Sequence, residues 1–221
     1  MITVHHLEKS RSHRILWLLE ELKLEYELKI YKRNPETNLA PEELKKVHPL
    51  GKSPVVSVDD MVFAESGAII ENLVDQYGNG KLKPAEGSPD FLRYRYWMHA
   101  AEGSLMPVLL LKLIFTKTET APPWFLRPIT KAVSRKVHDS YINPTLKGML
   151  DYMDFELGKS QWIAGEEFSA ADVQMGYGVE AICSKSETVQ NYPAIRKYFE
   201  RLKAREAFQI AIEKGGPSLP L

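Results

Sequence analysis

Two short segments separated by a tight turn constrain this chain more than any other feature of its 221 residues. The first is Pro49-Leu50-Gly51-Lys52-Ser53-Pro54-Val55-Val56, and the second is Ala64-Glu65-Ser66-Gly67-Ala68-Ile69-Ile70. Pro54 opens a β-branched run to Val58, Asp59-Asp60 supplies a turn, and Met61 to Ala64 pairs back as a hairpin strand. Ser66 to Tyr77 then carries helical periodicity, with Ala68, Ile69, Leu73 and Tyr77 expected to point inward.

Upstream, Ile2 to Leu7 reads as a strand. Arg14 to Leu22 reads as a helix, with Ile15, Leu18, Leu19 and Leu22 on one face. Tyr26 to Tyr31 alternates as a strand, and Pro41 to Val47 is a short helix with proline in its first turn. The order is β-α-β-α-β-β-α within roughly the first 80 residues. That is the order of a thioredoxin-like α/β domain.

Gly78-Asn79-Gly80 stops the last of these helices. The polar run through Pro84, Gly87, Ser88 and Pro89 reads as a linker. Beyond it only helical patterns occur. Asp90 to Leu113 forms a long helix kinked near Pro107. Pro122-Pro123 breaks the chain, and Thr130 to Leu157 forms a second long helix containing Pro144. Ser169 to Ala181 and Pro193 to Ala204 follow, and the tail from Gly215 to Leu221 reads as irregular. The expected organisation is an α/β domain over 1–80, a linker over 81–89 and an all-α domain over 90–221.

Lys plus Arg total 29 and Asp plus Glu total 29, so net charge offers no electrostatic case for a nucleic-acid partner. The single cysteine, Cys183, excludes an internal disulfide and a Cys-x-x-Cys pair. It reads as a small buried hydrophobe, and cysteine usage this sparse fits a reducing compartment. No metal is expected. His5 and His6 point to opposite faces of a strand, and His99 with Glu102 lacks a second pair of ligands. Lys9, Arg11 and Arg14 are not followed by a run that reads as a signal peptide. The most apolar window, Leu105 to Phe115, is too short to span a bilayer. A soluble, cytoplasmic protein without a membrane partner is expected.

Three places carry candidate chemistry. Ser53-Pro54 is an X-Pro bond, where the cis form costs only about 0.5–1 kcal/mol. In that form the Ser53 backbone could pair with an extended peptide, whereas a trans proline would simply open an edge strand. Glu65-Ser66 stands at a helix start. Ser66 as N-cap and the free N–H groups behind it suit a carboxylate, and Glu65 suits an ammonium. Plain capping is the simpler alternative. Ser10, within Lys9-Ser10-Arg11-Ser12-His13-Arg14, lies between the first strand and the first helix. A hydroxyl there can stabilise a thiolate, helped by the helix dipole, or it can merely cap the helix. Trp97, Met98, Leu105, Met106, Leu109 and Leu110 fit either an apolar pocket or a helical core.

Together these segments resemble the cytosolic-type glutathione transferases along nearly the whole chain. Ser10 to Leu22 is similar to the opening of bacterial and fungal members of the serine type. Pro49 to Val56 is similar to the family's cis-proline loop, and Glu65-Ser66 to its γ-glutamyl site. Phe168-Ser169-Ala170-Ala171-Asp172-Val173 resembles its capping box and hydrophobic staple. The resemblance implies glutathione as co-substrate, with Ser10 activating its thiol and Arg11 and Ser12 as neighbouring candidates. Glu65 and Ser66 would hold its γ-glutamyl end, Ser53 and Pro54 its cysteinyl backbone, and Lys52 its glycyl carboxylate, with Asn38 assisting. No tyrosine or cysteine lies between Met1 and Leu24, which disfavours the tyrosine-type mechanism and excludes the cysteine-type one. The implied reaction is thiolate attack on a small hydrophobic electrophile, by a homodimer. Alternatives are peroxide or disulfide reduction at the same site, or a non-enzymatic glutathione-binding role.

Overall fold

The computed structural model describes residues 1–184 and 186–219. Pro220 and Leu221, the end of the tail read as irregular, lie outside the described residues. The first elements are β1 (Ile2–Leu7), α1 (His13–Leu22), β2 (Tyr26–Tyr31), α2 (Glu42–Val47), β3 (Val55–Val58), β4 (Met61–Ala64) and α3 (Ser66–Tyr77). The sheet order is β2-β1-β3-β4, with β1 parallel to β2 and antiparallel to β3. This is the expected thioredoxin-like layer. β1 is buried along its whole length because neighbours pair with both of its edges and helices cover it. Val4 stands opposite Leu28 on one side and Val56 on the other.

α3 differs from its expected face. Ala68 is exposed and Tyr77 only half-buried, while Ile69, Ile70, Leu73 and Val74 are buried. The helix packs against both α1 and a helix of the second half, so its buried stripe is wider than a single-sided contact requires.

The second half contains α4 (Pro89–Ala100), α5 (Met106–Thr118), α6 (Arg127–Val137), α7 (Asn143–Leu157), α8 (Ala170–Cys183), α9 (Ser186–Val189), α10 (Pro193–Lys203) and α11 (Glu206–Gly215). Both long helices carry a π-turn directly before their proline. The Met106 N–H bonds Ala101 O, and the Asn143 N–H bonds His138 O, each five residues back. Pro107 and Pro144 cannot donate to the regular ladder, and the wider turn accommodates the gap. The continuous run Pro89–Thr118 is apolar and long enough to cross a membrane by length and composition. The helix is longer than the Leu105–Phe115 window read from the sequence, and the core helix of a soluble protein meets the same measure of length and composition. Tyr94, Trp97, Met98, Leu105 and Val108 are nonetheless packed in the core.

α11 was not expected from the sequence. It packs on α1, and Phe208 sits edge-on to Trp17 at 5.0 Å. Arg205 clamps Glu21 of α1 with bonds of 2.5 and 2.7 Å, tying the two halves together. Trp17 also lies against Gly176 of α8, where an added Cβ would come within 2.6 Å of the ring. Close packing of α1 on α8 therefore requires glycine there. The capping segment of α8 is buried. The Asp172 carboxylate accepts from Ser169 N at 2.8 Å, Ile163 N at 2.9 Å and Tyr198 Oη at 2.8 Å.

Candidate functional site

The site forms where β1 gives way to α1. Lys9 turns the chain at φ 51°, and Ser10 follows, only 6% exposed. The Ser10 hydroxyl donates to the Leu7 carbonyl at 2.7 Å and lies 2.8 Å from Ser12 Oγ and 3.4 Å from Ser53 Oγ. The direction of each bond follows from its partner. The Gly215 carbonyl can only accept, so His6 Nε2, 2.9 Å away, carries the hydrogen. Burial holds His6 below its ordinary pKa, which leaves the ring neutral and Nδ1 an acceptor. Ser12 Oγ, 2.8 Å from Nδ1, donates to it. Ser12 can therefore only accept from Ser10, whose single proton has Leu7 O and Ser12 Oγ as alternative acceptors and can be redirected to a third.

The loop before β3 brings Ser53 to this serine pair. The Ser53-Pro54 peptide is cis. Gly51 adopts φ 57° beside the Lys45 side chain, which lets the loop turn. At the other end of the hairpin, Glu65 adopts φ 74°, a left-handed conformation unusual for a residue with a Cβ. The structure here corrects one expectation. Glu65 is the N-cap and Ser66 the first helical residue, with no side-chain capping bond. Ser66 Oγ accepts instead from Arg14 Nη1 at 3.2 Å. Lys52 and Glu65 are exposed and make no ion pair among the described residues, so both charges are available to a zwitterionic ligand. Asn38, also exposed, accepts from Arg33 through its carbonyl at 3.0 Å.

Behind Ser66 lies a charge cluster that the sequence reading missed. Arg14 is 1% exposed and pairs with Glu102 of the first π-turn, and Arg11 reaches the other Glu102 oxygen at 2.9 Å. The sequence sets Glu102 beside His99 as a pair without further metal ligands, and gives it no other role. Its partners lie 88 and 91 residues away, so no local pattern announces the pair. Burial pushes the Arg14 guanidinium below its ordinary pKa, and Glu102 pulls it back. Arg14 Nε and Nη2 are buried without a hydrogen-bond partner among the described residues. The Tyr177 ring of α8 lies 5.3 Å from the guanidinium.

Next to Arg11 opens an apolar groove of about 280 Å³, lined in part by Met106, Leu109, Leu110, Leu113 and Tyr177. The six candidate pocket residues thus divide. Trp97, Met98 and Leu105 belong to the core, whereas Met106, Leu109 and Leu110 reach the groove. Neither this groove nor the larger hollows of about 740 and 770 Å³ are lined by Ser10, Lys52 or Glu65, but of the three only the groove reaches Arg11, the neighbour of Ser10. Cys183 is half-buried and its thiol is pushed up to about 11 by burial, so it is unsuited to act as a thiolate. His5 and His6 face opposite sides of β1: His5 meets Tyr31 and Ser57, and His6 meets Gly215 and Ser12.

The glutathione S-transferase N-terminal domain family matches residues 1–75, and the glutathione S-transferase C-terminal domain family matches residues 123–213. Glutathione S-transferase 3 of Schizosaccharomyces pombe is 37% identical over 97% of this chain and 88% of its own. The disulfide-bond oxidoreductase YfcG of Escherichia coli is 24% identical over 97% of this chain and 95% of its own. Among solved structures, a glutathione S-transferase from Actinobacillus pleuropneumoniae superposes with a TM-score of 0.79 at 35% identity, covering 99% of this chain and 94% of the other.

Proposed function

Since this chain belongs to the glutathione S-transferase family and uses glutathione as co-substrate, we propose that it transfers the glutathione thiolate to a small hydrophobic electrophile held in the groove beside Arg11. The carrying observation is the position of the Ser10 hydroxyl, 2.7 Å from Leu7 O, 2.8 Å from Ser12 Oγ and 3.4 Å from Ser53 Oγ, at the mouth of the cis-proline loop. When a thiol is seated beside the loop, Ser10 turns its hydrogen from Leu7 O to the sulfur. The N-terminus of α1 adds positive potential, and both effects favour the thiolate. Each unit by which the thiol pKa falls corresponds to about 1.4 kcal/mol. Glu65 receives the ammonium of the γ-glutamyl end, and the first turn of α3 at Ser66 receives its carboxylate. Ser53 and Pro54 align the cysteinyl unit, and Lys52 pairs with the glycyl carboxylate. In this reading residues 1–80 bind glutathione, 81–89 link, and 90–221 supply the apolar groove. We place the protein in the cytoplasm as a homodimer acting in detoxification.

A second reading, reduction of peroxides or disulfides, draws on the similarity to YfcG. Bound glutathione would attack the disulfide, release one thiolate and leave a mixed disulfide for a second glutathione to resolve. Steady-state turnover of a halogenated nitroaromatic, an alkyl hydroperoxide and hydroxyethyl disulfide separates the two. Conjugation predicts turnover of the aromatic, abolished or strongly reduced in Ser10→Ala. Turnover of only the redox substrates would replace it with the second reading.

A further inference from the structure

We propose that the tip of the helical hairpin, from the loop before α6 into its first turns, docks on an anionic phospholipid surface. Trp124 is 78% exposed, Ile129 63%, Phe125 60% and Val133 53%, and Leu126 is exposed beside them. Ile129 and Val133 lie one turn apart and form a stripe on α6. Ser134, on another face, fixes which side points out. It is buried, and its hydroxyl lies 3.1 Å from Phe115 O and 2.8 Å from a Glu119 carboxylate oxygen. α5 packs against α6 and adds exposed Leu113 and Ile114.

Charge selects the occupant. Between Glu119 and Asp139 there is no acidic residue, yet Arg127, Lys131, Arg135 and Lys136 all occur there. All four are exposed, and none makes an ion pair among the described residues. In a chain whose charges cancel overall, this segment carries four cations and no acid, with Lys136 beside the apolar stripe and Lys131 and Arg135 across the helix from it. An amphipathic helix with basic flanks and aromatic anchors lies well in the headgroup region of an anionic bilayer. A second copy of the chain fits poorly, because a two-fold pairing of this face sets cation against cation.

The tryptophans provide the readout. Trp17, Trp97 and Trp162 are buried, so Trp124 is the one that faces solvent. The full-length protein is titrated with phosphatidylcholine vesicles with and without phosphatidylserine. Emission and co-sedimentation are followed. The expected result is a blue shift and sedimentation with phosphatidylserine vesicles, both weakened by salt. Lys131→Glu with Arg135→Glu should weaken partitioning by about tenfold or more. Trp124→Ser with Phe125→Ser should do the same for sedimentation, with the unfolding midpoint retained. Failure to bind phosphatidylserine vesicles overturns the proposal. Equal binding to purely zwitterionic vesicles, or unchanged binding by either double variant, does so as well. A blue shift that follows protein concentration without lipid assigns the patch to self-association instead.

Discussion

Two charges are buried at opposite ends of the packing between α1 and α8, and they are treated differently. Asp172 is fully enclosed, and its carboxylate accepts from two backbone N–H groups, the Ser169 hydroxyl and the Tyr198 hydroxyl. Arg14 is equally enclosed, but only Nη1 finds partners, while Nε and Nη2 are orphaned. A buried ion whose bonding capacity is met locks structure, whereas one met only in part is costly in the fold. The incomplete one stands directly behind Ser66, where the proposed function puts the ligand's charged end. The contrast separates a structural anchor from a buried charge whose bonding capacity is only partly met.

Removing the anchor should have the largest effect. Asp172→Ala strands Ile163 N–H, Ser169 N–H and the Tyr198 hydroxyl in the core, at a cost of about 3–5 kcal/mol in urea unfolding. A cost below about 1 kcal/mol would remove the distinction. Acid should act next, on the α1 side. Burial holds His13 down to about 4, and His5 and His6 are also lowered. As pH falls, the unfolded chain takes up these protons first, so stability is complete above about pH 6.5 and drains toward pH 4. The His13 share approaches about 3 kcal/mol at the acid end. Asp172 and Glu180, held above the carboxylate range by burial, work in the opposite direction. The difference in pH slope between wild type and His13→Asn isolates the histidine.

Gly176→Ala presses against the Trp17 ring and tests the spacing between the two charges. It should cost about 1–3 kcal/mol of thermal stability, because neither helix can retreat cheaply. The smallest stability effect is expected from Arg14→Met, about 1 kcal/mol, since Glu102 keeps Arg11 and access to water. Its glutathione KM should rise several-fold as Ser66 loses its donor. A stability loss matching that of Asp172→Ala would make Arg14 a second anchor instead.

Much of the α/β layer was legible because strands and helices there repeat over short windows. The turn at Asp59-Asp60 and the capping signals at Ser169 and Asp172 are local chemistry as well. α11 escaped because its apolar residues meet α1 from the far end of the chain, as Phe208 meets Trp17. The site was legible as loops and hydroxyls. Its buried charges were not, because Arg14 and Glu102 become partners only after the halves pack. The role of Ser66 changed because it is already the first helical residue, so the cap position falls on Glu65 at positive φ.

The central claim, that the Ser10 proton stabilises a bound glutathione thiolate, is tested by following thiolate absorbance of the glutathione complex against pH. Wild type should ionise its thiol well below free glutathione, and Ser10→Ala should return it most of the way. Equal depression in both proteins would contradict the claim and assign the activation to Ser12 or the backbone amides of the loop.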